Sequence, residues 1–207
     1  MKNTGRKLTK SNVGGLLQSY ADSVEKIGTS IQGQAGRTLL ESLKRGKVGS
    51  GPYPDVTLFE AANRIMTDLV IYTGVKWLLE NETFPFTEYT VELGNEDNNG
   101  FDIKAEANNK SLIGEAFNVA PSFFQGKKSA MLKKLKKDGK ADYKIILVNH
   151  DAVPETYAPV KNEVGVYYVI VNVGTSSAKV VPNNALHRTR QKVPHRWASP
   201  VRPQLLK

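Results

Sequence analysis

Two carboxylates sit in otherwise apolar company in the stretch 100-GFDIKAEANNKSLIGEAFNV-119: Asp102 in its first half and Glu115 in its second. Between them lies Asn108–Asn109. Asparagine suits the positive φ that both central positions of a type I′ turn require, so the stretch reads as a β-hairpin. A two-residue turn there makes paired positions sum to 217, which sets Asp102 directly opposite Glu115. Like charges opposed at about 4.5–5.5 Å between Cβ atoms destabilise a sheet. Such a pair persists when a cation lies between the groups or when one of them takes up a proton. Two oxygen donors with no His or Cys nearby suit a hard divalent ion, Mg²⁺ or Mn²⁺, rather than zinc.

The row extends further. The segment "FTEYTVELG" (86–94) alternates as a strand does, and "NEDNNG" after it has turn chemistry. Pairing about a sum of 194 sets Glu92 opposite Asp102, giving three acids across three neighbouring strands. Glu60, near the start of a long helix, can approach that row from the side. A plainer reading stays open beside this one: Glu92, Lys104 and Glu106 line a wet face, and a one-residue slip separates Asp102 from Glu115.

The elements that must position these residues can be read from periodicity. Residues 11–45 have helical spacing interrupted by glycines, and 49–55 is loop, with Asp55 as a cap for the next helix. "VTLFEAANRIMTDLVIYTGVKWLLEN" (56–81) is that helix, a long one with Leu58, Ala61, Ala62, Ile65, Met66, Leu69 and Val70 on one stripe. After the three strands, 120–140 is a helix starting near Pro121–Ser122 and ending at Gly139. "DYKIILVNH" (142–150) and "GVYYVIVNVG" (165–174) are apolar strands. The expected class is α/β, a mixed sheet flanked by helices. The expected organisation is an N-terminal helical segment (1–55), an α/β core (56–180) and a tail (181–207) without periodicity, read as largely disordered.

Composition bounds the function classes. The chain has 207 residues and no cysteine, which excludes a disulfide framework and a thiolate metal site. The basic N-terminus lacks the apolar run of a signal peptide, and no apolar run is long enough to span a bilayer. The expectation is a cytoplasmic protein with no membrane partner. The formal charge is +9, with one basic cluster in the tail and a lysine-dense run over 127–140. Lysines 133, 134, 136 and 137 cover more than one face of their helix and suit a phosphate backbone; a merely solvated face is the alternative. Phe123 and Phe124 at the helix start either stack on a base or pack into the core.

Helix, three-stranded meander, helix and strand is an order that resembles the core of the PD-(D/E)XK nuclease superfamily. "GFDIKA" resembles its first acidic strand and "IGEAFNV" the next, and "SFFQGKKSAMLKKLKKDGKADYKIILV" (122–148) resembles the helix-then-strand segment of BamHI-like type II restriction endonucleases. The resemblance covers roughly 56–150 and implies a restriction-endonuclease-like fold. It implies a Mg²⁺- or Mn²⁺-dependent endonuclease acting on DNA, with RNA as the alternative substrate. Asp102 and Glu115 would be the metal-holding catalytic acids, with Glu92 a further ligand. Glu60 would order a second metal or its water shell, or else simply face solvent from its helix. Ser122, Lys133, Lys134 and Lys137 would contact the nucleic acid, and Asn118 would either contact a phosphate or merely end its strand. Cleavage of both strands would call for a homodimer.

The family's lysine, two residues after the strand acid, falls at Phe117 here. Three readings are open: Lys127 or Lys128 from the next helix replaces it; Asp102-Ile103-Lys104 is itself the acid-x-lysine element, with Glu92 or Asp97 as the earlier acid; or the lysine is gone and the chain is an inert binding module for nucleic acid or protein. The tail "NNALHRTRQKVPHRWASPVRPQ" resembles the translated read-through of an integron gene-cassette recombination site. That resemblance implies a mobile bacterial cassette and a tail not selected for binding.

Overall fold

The computed structural model describes residues 5–94, 100–138, 140–160, 163 and 165–182. Asp97, Gly139 and the tail from 183 onward lie outside the described residues, and so do the expectations placed on them. The described residues have an α/β fold, with four α-helices and a seven-stranded mixed sheet.

The sheet runs in chain order, β1 (Arg6–Thr9), β2 (Glu88–Val91), β3 (Ile103–Ala107), β4 (Lys110–Phe117), β5 (Tyr143–Asn149), β6 (Val166–Asn172) and β7 (Ser177–Val181). Pairing is antiparallel from β1 to β4, parallel for β4–β5 and β5–β6, and antiparallel again for β6–β7. The helices are α1 (Val13–Val24), α2 (Gly36–Arg45), α3 (Leu58–Glu80) and α4 (Pro121–Lys137). The central order α3–β2–β3–β4–α4–β5 is the one the periodicity predicts.

Each face of the sheet carries its own core. On the α3 side, Ile103, Ala105, Leu112, Ala116, Ile145, Leu147, Val169 and Val171 join one buried cluster with residues of α1 and α3. On the α4 side, Ile113, Phe117, Ile146, Val148, Tyr168 and Ile170 meet Phe124, Leu132 and Leu135 of α4. Strands buried on both faces read as continuous apolar runs, which is why β5 reads "IILV" without alternation. Gly74 lets α3 lie close on the sheet, since a Cβ there would stand 2.6 Å from Leu147 Cδ2. The connection from β5 to the parallel β6 contains a short 3₁₀ turn, His150–Ala152, and lays Val153 and Tyr157 over the α4-side core.

Several expectations are corrected. Thr57, not Asp55, caps α3: its hydroxyl accepts the Glu60 N–H at 3.3 Å. The N-terminal segment is not only helical, because β1 pairs with β2 at the sheet edge and Leu8 is buried. Ala62 and Met66 are exposed, and the buried stripe of α3 runs through Ala61, Ile65, Asp68 and Tyr72. No helix among the described residues is long and apolar enough to cross a membrane.

Candidate functional site

Asn108 and Asn109 have φ of +51° and +59°, the left-handed pair of a type I′ turn. The resulting register pairs Ala107 with Lys110 and runs back to Ile103 opposite Gly114. Continued one position past the end of β3, the same register places Asp102 opposite Glu115. On the other side, Thr90 pairs with Lys104 and Val91 with Ile103, and the Glu92 N–H donates to the Asp102 carbonyl at 2.9 Å. Continuing both registers by one position brings Glu92, Asp102 and Glu115 to matching places in three neighbouring segments, with β3–β4 paired about the sum of 217 and β2–β3 about the sum of 194.

The Asp102 carbonyl is bonded toward Glu92, and regular antiparallel geometry would make Asp102 and Glu115 a non-hydrogen-bonded pair. β3 ends at Ile103, and the Asp102 carboxylate takes over the next rung by accepting the Ala116 N–H at 2.8 Å. Glu115 and Glu92 are buried, and Asp102 is half-buried. Loss of hydration raises the Asp102 pKa above the ordinary aspartate range. The Ala116 N–H and the Lys134 ammonium pull it down, while the charges of Glu92 and Asp68 push it up.

The cation at the row comes from α4. Phe124, Lys128, Leu132 and Leu135 recur at helical spacing as the buried face of that helix. Lys134 flanks this face, and its Nζ lies 2.8 Å from Glu115 Oε1. The Phe101 ring borders the same place, with Lys104 Nζ at 5.8 Å and Lys134 Nζ at 5.7 Å from its centroid.

The other expected residues are distributed differently. Lys128 does not reach the row: it is buried against Glu163, with Nζ to Oε1 at 2.9 Å, beside Phe124 and Tyr157. Lys127 is exposed on the stripe of α4 that leads to Lys134. Lys104 is half-buried on the same face of β3 as Asp102. Glu60 is exposed and bonded to Arg64 on its own helix, away from the row. Asn118 follows β4 half-buried, and Ser122 is exposed in the first turn of α4. Lys133 and Lys137 are exposed and line a shallow groove with Ser129, Leu132 and Lys136. Phe117 is buried at a ring distance of 6.2 Å from Phe124, so the position two after the strand acid belongs to the core. Phe123 is exposed.

Sequence reasoning missed Asp68. This α3 carboxylate is 1% exposed and accepts hydrogen bonds from Tyr20 Oη at 2.6 Å, from Tyr53 Oη and from the Gly94 N–H at 3.0 Å. Burial raises its pKa, and the donors together with Arg6 pull it down. The available signal was its place on the apolar stripe, three residues after Ile65 and four before Tyr72.

Among the described residues, no three His, Asp or Glu side chains converge closely enough to hold a metal ion together. The Asp102–Glu115 pair, rather than the whole row, would be the candidate donor set. Its chemistry fits Mg²⁺ or Mn²⁺: both donors are hard oxygens, and Mg²⁺ is commonly held by one or two carboxylates plus substrate phosphate and water. No family model and no curated protein matches the chain.

Proposed function

We propose that the chain is a metal-dependent endonuclease that hydrolyses phosphodiester bonds in DNA, built on a restriction-endonuclease-like core. The observation that carries this reading is the buried Glu115 of β4 with the Lys134 ammonium on it, and the half-buried Asp102 just before β3 bonded to the next residue of β4, Ala116. The α3–β2–β3–β4–α4–β5 order supports it as well.

Asp102 and Glu115 would hold Mg²⁺ or Mn²⁺, which would supply Lewis acidity at the scissile phosphate. The Ala116 N–H fixes one oxygen of the Asp102 carboxylate and so orients the group. Lys134, rather than Lys127 or Lys128, supplies the positive charge that stabilises the transition state beside the acids. Lys133 and Lys137 contact the phosphate backbone, an attraction that weakens steeply with salt. A homodimer would give the two sites that double-strand cleavage needs.

The test is nicking of supercoiled plasmid with Mg²⁺ or Mn²⁺ by the wild type, Glu115→Ala and a deletion after residue 180. Metal-dependent cutting that vanishes in Glu115→Ala and survives the deletion is the expected result. The buried Phe117 favours a second reading, an inert nuclease-like module that binds nucleic acid or protein. Absence of cutting on both DNA and RNA would select it.

A further inference from the structure

Two opposed, largely desolvated carboxylates need a positive charge, and the protein already supplies one. Lys134 reaches Glu115 from a helix, not from the strands that carry the acids. The Lys134 side chain keeps 39% of its surface exposed, whereas the Glu115 side chain keeps 3%. The ammonium therefore sits at the end of a flexible four-carbon stem with a route to solvent, while its partner is fixed in the sheet. Its charge is also felt at Asp102. Lys128 is held elsewhere, by Glu163, while Lys104 shares the Phe101 ring with Lys134 but comes from β3.

A divalent ion held by Asp102 and Glu115 would meet the ammonium within van der Waals range of one of its own ligands. Two cations competing for the same buried oxygens repel strongly where water is excluded. We propose that Lys134 and the divalent metal occupy the Asp102–Glu115 pair by turns. Lys134 is the countercharge of the metal-free protein, and metal entry releases it toward the substrate phosphate. This rests on the nuclease reading of the same site. It makes Lys134 a residue with two posts, an internal ion that keeps the empty site folded and a phosphate contact available once metal has entered.

The experiment is a titration of Mn²⁺ into the full chain without nucleic acid, monitored by the electron paramagnetic resonance signal of free Mn²⁺. Wild type, Lys134→Gln, Lys134→Arg, Asp102→Asn and the Lys134→Gln/Asp102→Asn double variant are compared. Losing a competing charge-assisted contact should tighten Mn²⁺ binding by about tenfold or more in Lys134→Gln. Lys134→Arg should stay near wild type because the charge remains, and the double variant should lose the site. If Lys134→Gln binds Mn²⁺ no more tightly than wild type while Asp102→Asn abolishes binding, the exchange is overturned and the metal-holding pair stands. If no variant binds Mn²⁺, the exchange and the metal-dependent reading fall together. Thermal melts establish that each variant is folded; should Lys134→Gln not fold, Lys134→Met carries the same comparison.

Discussion

Asp102, one residue before β3, falls opposite Glu115 of β4 when the register that pairs Ile103 with Gly114 is continued one position, and that register is set by the left-handed turn at Asn108–Asn109, six residues away. The site thus depends on local backbone chemistry at the far end of its hairpin. A slip of one residue would send every side chain of one strand to the opposite face and part the two acids.

That dependence predicts the behaviour of turn variants. Asn109→Gly should fold as the wild type does, because glycine accepts positive φ freely. Asn109→Val should lose about 1–2 kcal/mol, the cost of a left-handed conformation for an ordinary residue. Urea denaturation measures both. Equal stability of the valine variant would mean that the turn does not hold the register.

Much of this was legible in the sequence because it is local. Turn residues, alternation and helical spacing lie within a few residues of what they determine, so the hairpin and the three-acid row could be read from Asn108–Asn109 and the flanking alternation. The partner of Glu115 was not legible. Choosing Lys134 over Lys127 or Lys128 requires the rotational phase of α4 against the sheet, which its packing through Phe124, Leu132 and Leu135 decides. Asp68 escaped for a related reason: its partners Tyr20 and Tyr53 come from distant segments. β1 has four residues and one buried side chain, Leu8, too little pattern to distinguish it from a basic terminus.

Lys128 and Glu163 form a buried ion pair, and Tyr168 Oη donates to Glu163 at 2.8 Å. Removing one partner leaves the other charge buried and uncompensated, at a cost of about 3–5 kcal/mol. Lys128→Met and Glu163→Gln should each be destabilised on that scale in chemical denaturation, and the double variant by clearly less than the sum. Additive losses would show that the two charges do not depend on one another.

Burial raises the pKa of Asp68 above that of the unfolded chain. The folded protein then binds this proton more readily than the unfolded one does. The contribution to stability is complete below the ordinary aspartate value of about 3.9 and declines as pH rises through the folded value. Relative to Asp68→Asn, the wild type should therefore be most favoured at acid pH and lose ground as pH increases. Urea denaturation of both proteins over a pH series starting near 4 tests the sign. A wild-type advantage that grows with pH would contradict it.

The central claim is that Asp102 and Glu115 act together on one metal. Two ligands of a single ion act as a unit, and the effects of such residues on rate are not additive. The most direct measurement is the metal-dependent cleavage rate of plasmid DNA by wild type, Asp102→Asn, Glu115→Gln and the double variant. Each single change should reduce the rate by about a hundredfold or more, on the scale of losing one electrostatic catalytic contact. The double variant should be no slower than the worse of the two. Losses that multiply, or a single variant that cuts at the wild-type rate, would contradict the shared site.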